Sequence, residues 1–440
     1  MRTTARPAVT RVLLLATAVA LLVGTGCSSG SDTSPLDSPN NATTTPASPS
    51  RPVHDPPSEF ALGSGSPMPQ EATAGRLTVG GTLKDPLPIA LHKSTAYVAL
   101  PDRVQAVDTA DGRVLATIAP REEAVRNSAE WDVDDSAQAP AVVPHGDAST
   151  LLAPFLVEQS GTGTQADHTA VELTGSDTDS HEVTWRLVLD LPKWAETSLS
   201  TLYTRVSGSE NGKALVTVWD RTNAITFAVD VGTHKVLWTL DGFWAIGIAA
   251  GTAFGATLED GTAHERVAGH GIVDGRRRWI GTDSFGLSAY SAGPHLIILR
   301  GRDYASGEAY HRLVDARTGT TRREMPADLA GADCTYDDRR TLVCSGKGAE
   351  GDVAAGLDAG SGEILWQLPD DAADRVAPKV STAWHGRVYG TTGNGIVALD
   401  ARTGKDLPTA PAIAPILVNE TVGLALDESG DILMAYPTSG

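Results

Sequence analysis

Several short stretches of this 440-residue chain set residues in an order that chemistry uses. Gly346-Lys347-Gly348-Ala349-Glu350-Gly351 has the GxGxxG spacing that lets backbone amides cradle a phosphate. That task needs a helix after the glycines to aim its amides at the anion, and the chain instead continues into VAAGLDA, a strand pattern. Gly26-Cys27-Ser28-Ser29-Gly30 has the GxSxG spacing of a nucleophilic serine, but it lies across the cleavage site of a leader segment. His264-Glu265 and His181-Glu182 open like HExxH. Ala268 and Trp185 stand where the second imidazole must be, so neither stretch can hold zinc on one helical face. Asp177-Thr178-Asp179 is half a calcium loop without its glycine or closing glutamate, and reads as a solvated acidic insertion. His92, His145 and His385 each precede a second strand in three repeats, which makes them turn residues rather than a ring of ligands.

The elements that must position these residues are themselves periodic. From about Thr73 the chain alternates Val, Ile, Leu and Ala with regular Gly, Asp and Asn, and holds no 3.6-residue apolar period for long, an all-β pattern. AVDTADGRVL, AVDVGTHKVLW, LVDARTGTTRR, GLDAGSGEILW and ALDARTGKDL repeat one sentence around Asp108, Asp230, Asp315, Asp358 and Asp400. Four places on stand Gly112, Gly319, Gly362 and Gly404, with His234 the exception, and eight places on stand Trp238 and Trp366. GHGIVDGRRRW is a further copy, with Gly271, Gly275 and Trp279 in the three positions. Spacings from Asp230 are then 41, 44, 43 and 42 residues. Another copy, TAVELTGSDTDSHEVTWRL, offers Glu172 or Asp177 as its acid and Trp185 as its tryptophan, among insertions. An aspartate at a strand end can bond the amides of the next turn, glycine supplies the positive φ of a tight reversal, and tryptophan wedges between sheets. With a hairpin upstream of each Asp, one period holds four short antiparallel strands, the size of a propeller blade.

ALDARTGK, GLDAGSGEILW and AVDVGTHKVLW resemble the PQQ-like β-propeller repeat, strongest from Asp230 to Lys405. That repeat occurs in quinoprotein dehydrogenases, in the propeller lipoprotein of the outer-membrane barrel-assembly machinery, and in lipoproteins and kinase sensor domains of high-GC Gram-positive bacteria. The resemblance implies an eight-bladed β-propeller of four-stranded blades. The C-terminal ILVNE, TVGLALDESG and DILMAYP would give three strands of the last blade, and GRLTVGGTL, Gly75 to Leu83, the fourth. Trp244 in FWAIG and Trp384 then fall on innermost strands, where aromatics either pack between strands or line a binding surface. The quinoproteins place a vicinal Cys-Cys pair and an acidic calcium cluster over their cofactor. Neither has a counterpart here, so the repeat carries over and the redox site does not.

Arg2, Arg6 and Arg11 precede an apolar run of twelve, Val12 to Val23, too short to span a bilayer and suited to a signal segment. Gly24-Thr25-Gly26-Cys27-Ser28-Ser29 resembles the bacterial lipobox, which implies lipidation of Cys27, although Gly24 stands where that pattern has Leu. The expected organisation is a signal peptide at 1–26, a disordered Ser/Thr/Pro-rich tether at 27–72 and a propeller at 73–440. Net charge is −19, and loss of the leader's three arginines takes it to −22, which disfavours nucleic acid or an anionic membrane surface as a direct partner. Arg276-Arg277-Arg278, inside a repeat, reads as a solvated strand edge. With Cys27 lipidated, Cys334 and Cys344 are the two cysteines left. DCTYDDRRTLVC sets them on neighbouring strands about one turn, a disulfide in an oxidising compartment. The functional expectation is a lipid-anchored binding or scaffold module on the extracytoplasmic face of the cell membrane. Its partner is a protein or cell-envelope ligand, and no catalytic residue, cofactor or metal is assigned. The alternatives are a quinoprotein-type oxidoreductase or a subunit of an envelope protein-assembly complex. SGTGTQADH and TGSDTDSHE, read as insertions in the irregular second repeat, are the expected source of specificity.

Overall fold

The run from Tyr203 to Asp241 shows how the repeat becomes structure. Four strands, Tyr203–Glu210, Lys213–Trp219, Ala224–Asp230 and Lys235–Asp241, pair antiparallel with each neighbour in turn. The two middle strands are almost wholly buried and rich in Val, Ala, Ile and Phe, because sheets pack on both of their faces. The fourth is largely exposed, so Val236 and Leu237 face outward on the rim. A computed structural model describes residues 52–73, 86–125, 137–146, 148–161, 163–164, 166–197, 201–258 and 265–440 of the chain. The signal segment, Cys27 and the expected strand Gly75 to Leu83 lie outside the described residues.

Seven antiparallel sheets carry this pattern among the described residues. Sheet A runs from Ile89 to Ile118, sheet B from Ala141 to Asp190 and sheet C from Tyr203 to Asp241. Sheet D has seven strands, from Phe243 to Glu324, because Arg277–Ser291 ends one meander and begins the next without a break. Sheet E runs from Asp333 to Leu368, and sheet F has three strands, Lys379–Trp384, Arg387–Thr392 and Gly395–Asp400. Sheet G joins Leu417–Val418, Val422–Leu426 and Leu433–Pro437 to an N-terminal strand, Ser66–Pro67. The first strands of successive units touch one another, as Tyr203–Glu210 touches both Ala141–His145 and Phe243–Ala249. This is a β-propeller.

Its apolar interior is divided into eight cores, each shared by neighbours in chain order. Val171 and Leu173 of sheet B pack with Val216 and Phe227 of sheet C. Val98 and Val107 of sheet A pack with Val422 and Leu424 of sheet G, which joins the last sheet to the first. Each sheet therefore buries both faces, and the ring closes through side chains as well as through strand pairing.

Among the described residues, the N-terminal strand that closes the last sheet is Ser66–Pro67. Ser66 faces Ala435 and Pro67 faces Met434, and an isolated bridge joins Phe60 to Thr438. The tether reading to residue 72 is corrected accordingly, because residues 52–73 pack on the propeller with Phe60, Met68 and Ala72 buried. A few apolar anchors suffice to order a Pro/Ser-rich stretch when a sheet edge is waiting. Pro67 is tolerated because an outermost strand has no further neighbour for its missing N–H.

The repeated residues do what their types suggest. Asp358 accepts from the amides of Gly360 at 3.1 Å and Ser361 at 2.9 Å, and Asp400 from Arg402 at 3.2 Å and Thr403 at 2.8 Å. Asp177, not Glu172, fills the acid position of the second repeat, accepting from Ser180 N at 2.7 Å, with His181 in the left-handed place that glycine holds elsewhere. TGSDTDSHE is thus a regular strand–turn–strand and not an insertion. Each tryptophan reaches across to the next turn. Trp238 Nε1 donates to the Ile272 carbonyl at 2.9 Å, Trp279 to Ala316 at 2.9 Å and Trp366 to Ala401 at 2.7 Å. The ring lies where a Cβ on the turn glycine would be: at Gly319 it would meet Trp279 at 2.6 Å, and at Gly404 Trp366 at 2.6 Å. In the second repeat Trp185 stacks instead on His234, with ring centroids 4.7 Å apart.

Candidate functional site

Strand direction gives the propeller two unlike faces. The turns from first to second and from third to fourth strand, including those that follow Asp108, Asp177, Asp230, Asp315, Asp358 and Asp400, lie on one face, and both ends of the described chain arrive there. We call it the terminal face. The opposite, connector face holds the turns from second to third strand and the connections between units. The repeated aspartates are engaged on the terminal face. Turn amides and hydroxyls hold the Asp177, Asp230 and Asp358 carboxyls below their ordinary range, the backbone amides of Ser180, Thr233 and Ser361 first.

Clefts gather on the connector face. One of about 1,010 Å³ opens between sheets F and G, with Lys379 and Ser381 on one wall, Asp427 and Glu428 on the other, and Ile413 and Ile416 as its floor. A second, of about 510 Å³, lies between sheets E and F beside Glu350, Asp352 and Lys379. A third, of about 660 Å³, opens between the second half of sheet D and the connection that follows it, and includes Arg300, Arg302 and His311. A small apolar cleft of about 50 Å³ sits under the connections of sheets A to C, lined by Pro101, Phe155 and Tyr203.

Where sheet C meets sheet D, the same face carries an aromatic wall. Tyr203 and Trp219 are directly opposed across the strand pair and stack at 5.6 Å, and Trp219 stacks in turn on Trp244 at 5.8 Å. Arg205 opposes Thr217 on that same side of the sheet, with its guanidinium 5.3 Å from the Trp219 ring centre. Its Nε donates to Ser207 Oγ at 3.2 Å. Ser207 donates to Thr217 Oγ1 at 2.9 Å, and Thr217 to the Ala245 carbonyl at 3.3 Å. That relay holds the guanidinium in place from the neighbouring unit. No carboxylate pairs with Arg205 among the described residues, and burial alone pushes its pKa down, so its charge is desolvated without an acidic counterweight. Trp244 Nε1 is buried beside it without a hydrogen-bond partner. An electropositive group against stacked rings can hold an anion or a flat ligand.

Of the residues singled out by sequence, Trp244 thus joins this wall. Trp384 ends an innermost strand at the terminal face and stacks on His385 at 3.8 Å. His92 and His145 end the first strands of sheets A and B, and His385 lies in the equivalent turn with φ +47°. The three stand in separate turns and do not converge. His385 Nδ1 meets Asp55 Oδ1 at 2.5 Å, and Arg339 meets Asp55 Oδ2 at 2.8 Å, fastening the N-terminal segment to sheets E and F. Cys334 and Cys344 face each other in register and form a disulfide. In the GxGxxG stretch, Gly348 N donates to Gly351 O at 2.8 Å and the strand Asp352–Asp358 comes next, so no helix aims at a phosphate there. Asp179 pairs with Lys93 at 2.6 Å, and no group of three potential metal ligands gathers among the described residues. Arg276, Arg277 and Arg278 are exposed at the rim. His264 lies outside the described residues. Arg205, Arg300, Arg302 and His311 belong to no motif. Their one trace in the sequence is a cation alternating with apolar residues, as in YTRVSG and LIILRGRD.

No family model matches the chain, and no curated protein matches it. Among solved structures it is similar to a europium-containing methanol dehydrogenase at 11% identity and TM-score 0.42, covering 78% of this chain and 81% of that one. It is similar to the β-propeller domain of the trilobed protease from Pyrococcus furiosus at 11% identity and TM-score 0.38, covering 68% and 93%. The Dos1 propeller gives 9% identity and TM-score 0.41, covering 78% and 89%. The likeness extends to the fold and no further.

Proposed function

We propose that this chain is a lipid-anchored, extracytoplasmic, eight-bladed propeller of the PQQ-like repeat type. It acts as a non-enzymatic binding or scaffold module for a protein or other cell-envelope ligand. The observation that carries the binding reading is the division of labour between the two faces. The repeated acids and tryptophans are engaged in turns and blade contacts at the terminal face, while four clefts and an aromatic wall gather on the connector face. Propellers and other scaffolded folds place their recognition surfaces on such loop-lined faces. The count of eight is supported by dividing sheet D within Arg277–Ser291 and by the eight shared cores. The anchor is supported by the Cys27 stretch and by the entry of the chain at the terminal face, which leaves the connector face to partners.

Three experiments test the reading. The mass of the mature N-terminal peptide reports diacylglyceryl on Cys27, and a Cys27→Ala protein that still fractionates with membranes refutes the anchor. Envelope extract passed over the wild-type chain and over a Trp219→Ala, Trp244→Ala variant should yield a partner that the variant loses. Titration with PQQ and calcium, followed by a dye-linked alcohol oxidation assay, addresses the enzyme alternative. Saturable micromolar binding with turnover overturns the scaffold reading.

A further inference from the structure

We infer that the cleft between the second half of sheet D and the connection that follows it binds an oxyanion, a carboxylate or phosphate ester, carried on a planar or apolar body. The inference names a ligand class within the binding reading above and rests on it. The cleft, about 660 Å³, suits a small molecule or one side chain with its terminus. Strand register puts its recognition groups on one side of the sheet. Phe285 opposes Arg302, Arg300 opposes His311, and Arg300 and Arg302 are two residues apart on one strand.

The two arginines are poorly neutralised. Arg300 approaches the exposed Asp333 at 3.9 Å, and Arg302 donates to the Gly307 carbonyl at 3.2 Å without a carboxylate partner among the described residues. The acid in the cleft, Glu324, is taken by Arg312 at 2.7 Å. In a chain of net charge −19, two weakly paired guanidiniums on one side of one strand leave a local positive field. His311 is the second observation. The residue is 6% exposed, yet among the described residues neither ring nitrogen has a hydrogen-bond partner of good geometry, an expensive state that a bound acceptor would relieve. Phe285 and Tyr304, 41% and 43% exposed, form a tilted pair at 4.7 Å on the rim, where the ligand's body would lie.

The charge around His311 couples binding to protons. Burial first, then the facing Arg300, push its pKa down, while the Leu329 backbone and Glu324 favour the charged form without prevailing. Arg302 adds a further positive charge on the facing strand, and the exposed Asp333 approaches Arg300. An anion placed between Arg300 and His311 opposes both depressing effects, so binding draws a proton and strengthens as pH falls.

Calorimetric titration of the full chain with benzoate, phenyl phosphate and neutral benzamide tests this. We expect saturable binding of one or both anions and none of benzamide, the stronger anion telling carboxylate from phosphate. Benzoate should bind tighter at pH 6.0 than at pH 7.5, where its own charge is constant. Arg302 is exposed, so Arg302→Gln should fold and weaken binding by about tenfold, the cost of one charge-assisted contact. Phe285→Ala should weaken both anions alike. Benzamide binding as well as benzoate, an unchanged Arg302→Gln affinity, or no binding at millimolar probe overturns the inference. A blank titration with partner capture retained sinks this site alone. Loss of capture with anion binding retained sinks the macromolecular partner instead.

Discussion

Replacing Gly404 by alanine tests whether the tryptophans are docked to the next turn or merely near it. Gly404 has φ +65°, a region that costs an L-residue about 1–2 kcal/mol. A Cβ there would lie 2.6 Å from Cδ2 and 2.7 Å from Cγ of Trp366, so the ring must move by roughly 1 Å to regain van der Waals distance. That movement breaks the 2.7 Å bond from Trp366 Nε1 to the carbonyl of Ala401, a fully buried residue, and a stranded acceptor of this kind costs about 1–3 kcal/mol. The expected loss is therefore about 2–5 kcal/mol. In a Trp366→Ala background the clash and the hydrogen bond are already gone, and the same Gly404→Ala change should cost only about 1–2 kcal/mol. Gly307→Ala is the matched control, with φ +71° and nothing within 4 Å of the added Cβ. Urea unfolding followed by far-UV circular dichroism reads the midpoints, provided the slope stays constant. Equal losses in both backgrounds would refute docking and leave the tryptophan as a rim residue.

Three further outcomes are expected of the folded chain. Alkylation without reductant should label neither Cys334 nor Cys344, and Cys344→Ser should cost about 2–3 kcal/mol for opening so short a loop; labelling of both thiols refutes the bond. Phe60→Ala, which empties the contact with Tyr389 and the space over Gly423, should cost about 3–5 kcal/mol. An unchanged midpoint for Phe60→Ala removes the N-terminal segment from the fold. The turn carboxylates of Asp230 and Asp358 have folded pKa values depressed below those of the unfolded chain. Their stabilisation is thus complete above the ordinary carboxylate value and is lost as pH falls through the folded one. The Asp230→Asn, Asp358→Asn protein should lose less of its urea midpoint between pH 6 and pH 3 than the wild type, and parallel pH curves would sink the assignment.

The repeat was legible because each of its positions is chemically narrow. Only an acid or its amide caps such a turn well, and only a residue without a Cβ leaves room for the neighbour's indole at Gly319 or Gly404. The second repeat was blurred because His181 takes the left-handed place where glycine was expected, as His234 does in the repeat of Asp230. The closing pair Ser66–Pro67 was hidden for a different reason. Ser66–Pro67 pairs through two residues inside a stretch whose composition says tether, and its order comes from Phe60 and Met68 finding a core far along the chain. The recognition groups were the least visible. Arg300 and His311 become one site only through strand register, and Trp219 meets Trp244 only where two units abut.

The fastening of residues 52–60 also decides how the molecule answers a pull. Tension drawn through the chain from residue 52 does not arrive first at the two-residue strand that shuts the ring. It meets the His54 amide on Glu420, then Asp55 on His385 and Arg339, then the Pro57 carbonyl under Arg387 and Tyr389. These attachments fall on sheets E, F and G, so the load divides among three sheets before Ser66 is strained against Ala435. A tug is absorbed at the base as a cable clamp absorbs it, before it reaches the seam of the ring.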